Sequence, residues 1–324
     1  MAREPRELRI GTRGSQLALW QANAVAARLA ESGAPPTRIV VIRTTGDQLQ
    51  DRPLSEVGGK RLFVKEIEDA LQRSEVDLAV HSSKDLPAVL PEGLAIAGVL
   101  PREDPHDAVV LPVRAEGTGQ RALDDLIALL GPSPSIGTGS IRRVAQLSRV
   151  FPGAHFAPIR GNLDTRLRKL DGGQHAALVL AAAGLRRLGF ASRISLTLPA
   201  SACVPAPGQG IVAIEVREDD TNVREFVMRI SDADAAAALD AERALVEALG
   251  GGCQTPIGAL ATLLPGVDNG ALELVGAVAA PDGSRVIRAT ARASRGEAAA
   301  LGARVGRELI AQGADAILAE VRLS

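Results

Sequence analysis

Tyrosine is absent from this sequence of 324 residues, and aromatic residues make up only 2% of it. A core built without them must come from Leu, Val, Ile and Ala. The same scarcity argues against a single-strand nucleic-acid binder, which stacks bases on aromatic side chains. Neither sign of charge is in excess: 37 basic residues stand against 38 acidic, a formal net charge of -1. A nucleic-acid surface needs a basic excess, so no nucleic-acid partner is expected, although a local basic pocket suits a neutral whole. Cysteine is scarce too. The two present, Cys203 and Cys253, form no CxxC pair, too few for a disulfide framework and wrongly spaced for zinc. The four histidines, His81, His106, His155 and His175, show no i, i+4 pairing, so no metal site is expected. No apolar run approaches a membrane span, and Met1 to Ile10 is charged without an apolar stretch. The expectation is a cytoplasmic protein with no membrane partner.

What is present is apolar and punctuated by glycine. Hydrophobic residues make up 46% of the chain, enough for a core without staples, and the length suits two or three domains. Leu8 to Ile10 reads as a short strand. Ala18, Ala22, Val25 and Leu29 recur at helical spacing, with Ser15 placed as an N-cap. Residues 39–42 read as a buried strand, and Val76, Leu78 and Val80 as another. Between them Phe63, Ile67 and Leu71 form an apolar helical stripe. This alternation predicts an α/β fold with a mainly parallel sheet. The proline- and charge-rich stretch 100–105 reads as an interdomain hinge. A second α/β rhythm follows, with helices over 123–130, 141–150 and 163–170 and strands over 135–136, 157–159 and 177–180. Residues 211–216 read as a strand returning to the first sheet. An Ala-rich helix over 231–249 ends at Gly250-Gly251-Gly252, and two or three strands with a helix from Gly296 close the chain. No internal repeat is visible in the residues.

In open α/β sheets ligands bind outside the carboxyl ends of strands, so the polar residues after each predicted strand carry most weight. They are Gly11-Thr12-Arg13-Gly14-Ser15, His81-Ser82-Ser83-Lys84-Asp85, and Arg160-Gly161-Asn162 with Thr165-Arg166. Arg13, Arg142, Arg143, Arg160 and Arg166 lie in loops or at helix starts. A guanidinium grips a carboxylate or phosphate with two hydrogen bonds, and helix N-termini add partial positive charge. Any one of these arginines alone is best read as a surface pair. Five of them after successive strands point to a ligand with several negative groups. Asp85, followed by Leu86-Pro87, can balance a cation or move a proton, although an acid after a strand is commonly a turn residue. Cys253 stands in the glycine-rich Gly250-Gly251-Gly252-Cys253-Gln254-Thr255-Pro256, which leaves a thiol open to covalent chemistry. Cys203, in an apolar context, reads as a small buried hydrophobe. Gly208-Gln209-Gly210-Ile211-Val212-Ala213 imitates a dinucleotide fingerprint but leads into a strand-like run. Gly58-Gly59-Lys60 lacks the rest of a P-loop, so neither NAD nor ATP is expected.

Seven segments together resemble the porphobilinogen deaminase family along essentially the whole chain. They are 10–19 (IGTRGSQLAL), 57–66 (VGGKRLFVKE), 80–87 (VHSSKDLP), 137–143 (GTGSIRR), 160–166 (RGNLDTR), 207–210 (PGQG) and 251–258 (GGCQTPIG). The resemblance implies two similar α/β domains, like periplasmic-binding-protein lobes around a cleft, and a small α+β C-terminal domain. The boundaries expected are 1–101 with 208–230, 102–207, and 231–324. It also implies one dipyrromethane cofactor per chain, bound through a thioether to Cys253. The activity implied is that of a transferase: head-to-tail condensation of four porphobilinogen molecules with loss of ammonia, then hydrolytic release of hydroxymethylbilane. By the same resemblance Asp85 is the catalytic carboxylate, stabilising the azafulvenium cation left when ammonia departs. Ser82, Lys84, Asp85, Thr138, Ser140, Arg142 and Arg143 resemble the groups around the cofactor. Arg13, Ser15, Arg160, Arg166, Arg187 and Gln209 resemble those that hold incoming substrate or chain. Residues 44–60 resemble the family's mobile loop over the site, with Lys60 and Phe63 bordering it. A monomer is expected.

Ser83 and Gly139 stand where relatives vary, and Glu56 where a lysine would suit an anionic substrate better. Neither Ser83 nor Gly139 removes a charged group, and the position of Glu56 is assigned no role. Two other functions compete for the same residues. A two-lobed binding protein for an anionic small molecule explains the arginines but leaves Asp85 and Cys253 without purpose. An ordinary cysteine-nucleophile transferase needs a base beside Cys253, and no histidine is near it in sequence. A covalent two-pyrrole adduct separates the deaminase from both.

Overall fold

The computed structural model describes residues 7–48, 64–113, 121–251, 255–264, 266 and 270–323. The chain divides into two compact units, Met1–Glu103 with Ile211–Ala236, and Asp104–Gly210 with Ala237–Ser324. It begins with β1 (Leu8–Thr12), α1 (Gln16–Glu31), β2 (Thr37–Val41), α2 (Thr45–Gln48), α3 (Lys65–Gln72), β3 (Leu78–Ser82) and β4 (Leu94–Val99). The second unit opens with β5 (Asp107–Val110), α4 (Leu123–Leu130), β6 (Ser135–Gly137) and α5 (Ile141–Leu147). It continues through β7 (His155–Ala157), α6 (Leu163–Asp171), β8 (Ala177–Ala181), α7 (Ala182–Arg187) and β9 (Leu196–Thr197). Next come β10 (Val212–Arg217), α8 (Thr221–Arg229) and α9 (Ala233–Ala248). The chain closes with β11 (Ile257–Leu263), β12 (Ala271–Ala279), β13 (Val286–Ser294), α10 (Ala298–Ala311) and α11 (Ala314–Leu323).

The first unit holds a five-stranded sheet of order β2-β1-β3-β10-β4. β1 pairs parallel with β2 and β3, whereas β10 pairs antiparallel with both β3 and β4. Four strands therefore run one way and β10 runs against them. The expectation of a mainly parallel sheet holds for strand direction, and β10 returns to the first sheet as its pattern predicts. One face joins Ile10, Val80 and Ile214 to Val25 and Leu29 of α1 and Val227 of α8. On the other, Ala79 packs with Ile67 and Leu71 of α3. Sheets covered on both faces select near-continuous apolar strands, each fully buried Leu, Ile or Val contributing about 1.5–3 kcal/mol. Helix α1 begins where the sequence places it, Ser15 Oγ accepting from the Ala18 N–H at 3.3 Å. The expectation of a buried strand over 39–42 needs correction. β2 is an edge strand, paired only with β1, and none of its residues is fully buried.

In the second unit a sheet of order β7-β6-β8-β5-β9 repeats this plan, with β5 as the reversed strand. The repeat invisible in the residues is thus present in the topology. β7 stops at Ala157 rather than running to Ile159, because Pro158 has no N–H for a ladder. Helix α5 ends at Leu147, short of the expected Val150, where Ser148 Oγ donates to the Val144 carbonyl at 2.8 Å. The three-stranded antiparallel sheet β11-β12-β13 has a core of its own with α9, α10 and α11. Small residues let these helices approach closely: a Cβ at Gly302 would collide with the Ala241 carbonyl oxygen. The alanine richness of α9 is therefore a packing requirement in a core poor in aromatics.

Candidate active site

Parallel β1 and β3 carry their carboxyl ends to the same edge of the first sheet, Ile10 opposite Leu78 and Gly11 opposite Ala79. A pocket at this edge is lined by Arg13, Ser15, Gln21, His81, Ser82 and Asp85 among others. Asp85 is half-buried in a single 3-10 turn, Ser83–Asp85, that follows β3 directly. Two backbone bonds hold that turn, Leu86 N–H to the Ser83 carbonyl at 3.1 Å and Ser83 N–H to Ile211 at 3.0 Å. Ser82 is placed by Gln21, whose Nε2 donates to its Oγ at 2.8 Å. Ser15 serves as both pocket wall and helix cap. Lys84, half-buried in the same turn, does not line this pocket.

The second unit arranges its charges differently. Thr138 and Ser140 occupy the loop after β6, where Thr138 N–H donates to Ala157 at 2.9 Å and its Oγ1 accepts from Ser140 N at 3.4 Å. Arg142 and Arg143 follow in the first turn of α5, both buried. Their guanidinium groups converge on Asp107, the first residue of β5, which is fully buried. Arg142 Nη1 donates to Asp107 Oδ2 at 2.7 Å and to the Val204 carbonyl at 2.7 Å. Arg143 Nε donates to Asp107 Oδ1 at 2.9 Å and Nη1 to the Val179 carbonyl at 2.8 Å. Gln209 Nε2 adds a bond to Asp107 at 2.9 Å and another to Pro105 at 2.7 Å. Burial alone would disfavour the Asp107 anion. The fields of Arg142 and Arg143, with hydrogen bonds from Arg142 and Gln209, outweigh it and hold the carboxyl far below the usual range. Cys203 joins the cluster, its Sγ 3.3 Å from Arg142 Nη1 and 3.4 Å from Asp107. Burial first, and the Asp107 charge second, push its thiol up to about 12, so it stays protonated and inert.

The remaining arginines sit on loops of the same unit. Gly161 separates Arg160 from Asn162 with φ +107, and a Cβ there would lie 2.7 Å from Thr165. Glycine allows this reversal, and Arg166 Nε closes it by donating to the Gly161 carbonyl at 2.8 Å. Arg160 is half-buried, and its carbonyl accepts from Lys169. Arg187, near the end of α7, donates to the Gly210 carbonyl at 2.7 Å. The structure thus gathers Arg13, Ser15, Ser82 and Asp85 in one pocket, and Arg142, Arg143 and Gln209 around one carboxylate. Cys253, Lys60, Phe63 and residues 49–60 of the expected loop lie outside the described residues. Sequence reasoning did not reach Asp107, Gln21 or Glu215. The available signals were an acid heading the apolar run 108–111, a polar residue beside the α1 stripe, and an acid inside the apolar run 211–216.

Residues 8–225 match the family described as "Porphobilinogen deaminase, dipyromethane cofactor binding domain", and residues 236–311 match "Porphobilinogen deaminase, C-terminal domain". The chain belongs to the porphobilinogen deaminase family. Curated relatives that match over nearly their whole length carry that name. The chain is 47% identical to the one from Syntrophobacter fumaroxidans over 98% of both chains. To the one from Geobacter metallireducens it is 45% identical over 98% of this chain and 95% of the relative. Among solved structures it is similar to the Bordetella pertussis BvgS VFT2 domain, with TM-score 0.41, 14% identity, and coverage of 69% and 86%. It is also similar to the alkanesulfonate-binding protein SsuA from Xanthomonas axonopodis pv. citri, with TM-score 0.37, 15% identity and 76% of each chain covered. These two likenesses are too loose to speak for ligand or reaction.

Family membership brings a dipyrromethane cofactor, and the residues present fit one. Two guanidinium groups meet a single carboxylate in the buried network, leaving one positive charge in excess within it. A buried charge is costly unless paired, so a carboxylate-bearing group suits this place. Among the described residues, no helix is long and apolar enough to cross a membrane.

Proposed function

We infer that the chain is the transferase its family describes: it condenses four porphobilinogen molecules head to tail, releases ammonia and yields hydroxymethylbilane for tetrapyrrole and haem biosynthesis. The observation that carries the site assignment is the pocket uniting Asp85 with Arg13, Ser15 and Ser82. The cofactor supplies a free pyrrole α-carbon to which the first substrate is joined. Cys253 is proposed as its anchor. Arg142 and Arg143, steadied by Asp107, are proposed to hold its carboxylates together with Thr138, Ser140, Ser82 and Lys84. Asp85 is proposed as the catalytic carboxylate: it accepts hydrogen bonds from pyrrole N–H groups and sets its negative charge against the cation left when ammonia departs. Arg13, Ser15, Arg160, Arg166 and Arg187 are proposed to take the acetate and propionate of substrate and chain. Gln209 acts through Asp107, and Lys60 and Phe63 border the loop over the site. The division into 1–101 with 208–230, 102–207 and 231–324 is proposed as three domains. The protein is proposed to be a cytoplasmic monomer without nucleic-acid or membrane partners, in keeping with its balanced charge.

Intact mass and ammonia release test this reading. The purified chain should carry a covalent two-pyrrole adduct and convert porphobilinogen to a linear tetrapyrrole, while Cys253→Ala should carry no adduct and be inactive. A protein with no adduct and no ammonia release would be a binding protein instead. An adduct persisting in Cys253→Ala would move the anchor.

A further inference from the structure

Glu215 lies in the middle of β10 with no solvent exposure, and neither carboxylate oxygen has an aligned hydrogen-bond donor. Among the described residues, its neighbour in ion-pair geometry is His81 on adjacent β3, charged only when protonated, whose Nε2 is 3.1 Å from Glu215 Oε2 with a side chain only 3% exposed. The ring nitrogen does not point squarely at the oxygen, so the contact is one of charge proximity rather than a formed hydrogen bond. His81 also lines the pocket that contains Asp85 and Arg13. His81 therefore borders both a buried carboxylate and the candidate site. A buried carboxylate is costly unless a positive charge stands beside it, and an imidazole that takes up a proton supplies that charge. Helix α3, which packs on β3 and β10, adds buried Glu68. Arg217, further along β10, is engaged by Asp220 at 2.7 Å.

We propose that His81 and Glu215 form a proton-holding pair that takes up the proton lost from the pyrrole α-carbon in each condensation. This deepens the deaminase reading and rests on it. When the α-carbon bonds to the substrate methylene, its C–H bond must break, and those electrons restore the aromatic ring. The proton passes to the His81 ring, and the Glu215 charge stabilises the resulting imidazolium. It then leaves on the ammonia already released, as ammonium, so protons balance over the cycle. His81 is thereby a catalytic residue and Glu215 a positioning one, while Asp85 keeps its role toward the cation.

The test uses cofactor preassembled from porphobilinogen deuterated at its free α-position, so that the label sits on the carbon that loses its proton, single-turnover assays with ordinary porphobilinogen, and the variants His81→Gln and Glu215→Gln. Both should bind substrate and release the first ammonia within about twofold of the parent. Proton transfer by a positioned side chain commonly contributes about a hundredfold or more, so bond formation should slow by at least tenfold in His81→Gln. The deuterium isotope effect should rise from near unity to several-fold, and Glu215→Gln should move it the same way but less. Unchanged turnover and isotope effect in His81→Gln overturn the proposal, as does an isotope effect that appears only in Asp85→Asn. A second readout needs no cofactor: the ring nitrogen resonances of His81 should move in Glu215→Gln when both proteins are compared at one fixed pH. Identical ring resonances overturn the pairing even if His81→Gln fails to fold. A parent that makes no tetrapyrrole overturns the deaminase reading itself and the proposal with it. A parent that turns over normally beside unaffected variants removes the proposal alone.

Discussion

The two five-stranded sheets share one plan, and each places a fully buried carboxylate on its reversed strand: Glu215 on β10 and Asp107 on β5. The partners differ in kind. Asp107 is gripped by Arg142 and Arg143, cations that keep their protons at any working pH. Glu215 faces the single imidazole of His81, which is charged only when protonated. The loops diverge in the same sense. After β3 the chain makes the short turn that presents Asp85, whereas after the equivalent β8 it enters α7 at once. One sheet sets two guanidinium groups against its buried acid, an arrangement that suits the anion binding proposed for it. The other carries a carboxylate and an imidazole at its edge, which suit proton and cation chemistry. A shared topology therefore carries two different buried charge pairs, set by the side chain that meets the buried acid.

The sharpest way to break that comparison is at Asp107. Asp107→Ala leaves two buried guanidiniums uncompensated, and breaking a buried pair from one side costs about 3–5 kcal/mol. Urea denaturation should register that loss for Asp107→Ala and no loss of that size for Asp85→Asn. Acid gives a second measurement of the same contrast. The folded-state value of Asp107 is depressed, so its charge stabilises the fold above the usual carboxylate range and that share is lost as pH falls below about 4. Asp107→Asn has no such share to lose, so its stability should fall less steeply in acid than the parent's. Equal acid slopes would remove the distinction between the two carboxylates.

Asp85 is next in size. Asp85→Asn keeps shape and removes charge, and losing a preorganised electrostatic contact commonly costs a hundredfold or more, about 3–4 kcal/mol in the barrier. Single-turnover ammonia release, measured with preassembled cofactor, should fall by that much while the melting temperature stays near the parent's. A smaller effect separates the arginines. Arg13→Leu should retain cofactor and raise KM, since a hydrogen bond to a charged group is worth about 1.5–3 kcal/mol. Arg143→Leu should instead purify with little cofactor and lower stability. Cofactor content equal in the two would merge the roles assigned to the units. The smallest effect belongs to Gln21→Ala, which frees Ser82 Oγ and should cost about 0.5–1.5 kcal/mol of stability with a modest loss of turnover.

Much of this arrangement was legible in the residues. Ser15 caps α1, the stripe Ala18, Ala22, Val25 and Leu29 is buried, and residues 211–216 return to the first sheet as their apolar run predicts. Local signals carry this information because capping and periodicity act within a few residues of chain. The polar loops after β1 and β3 were identified for the same reason, and the structure joins Arg13, Ser15, Ser82 and Asp85 in one pocket. The edge position of β2 was not legible, since exposure of a strand depends on which neighbour it lacks.

Sequence alone thus determined the α/β class, the family and the polar loops that carry the site, because these follow from short-range pattern and from motif order. Tertiary structure decided what each buried charge meets. Asp107 lies 35 positions from Arg142 and 102 from Gln209, and Glu215 lies far along the chain from His81. Only strand register and the crossover of the chain bring such residues within a few ångströms. Electrostatic energy in a buried place depends on that distance and on the exclusion of water, neither of which is written in a neighbouring residue.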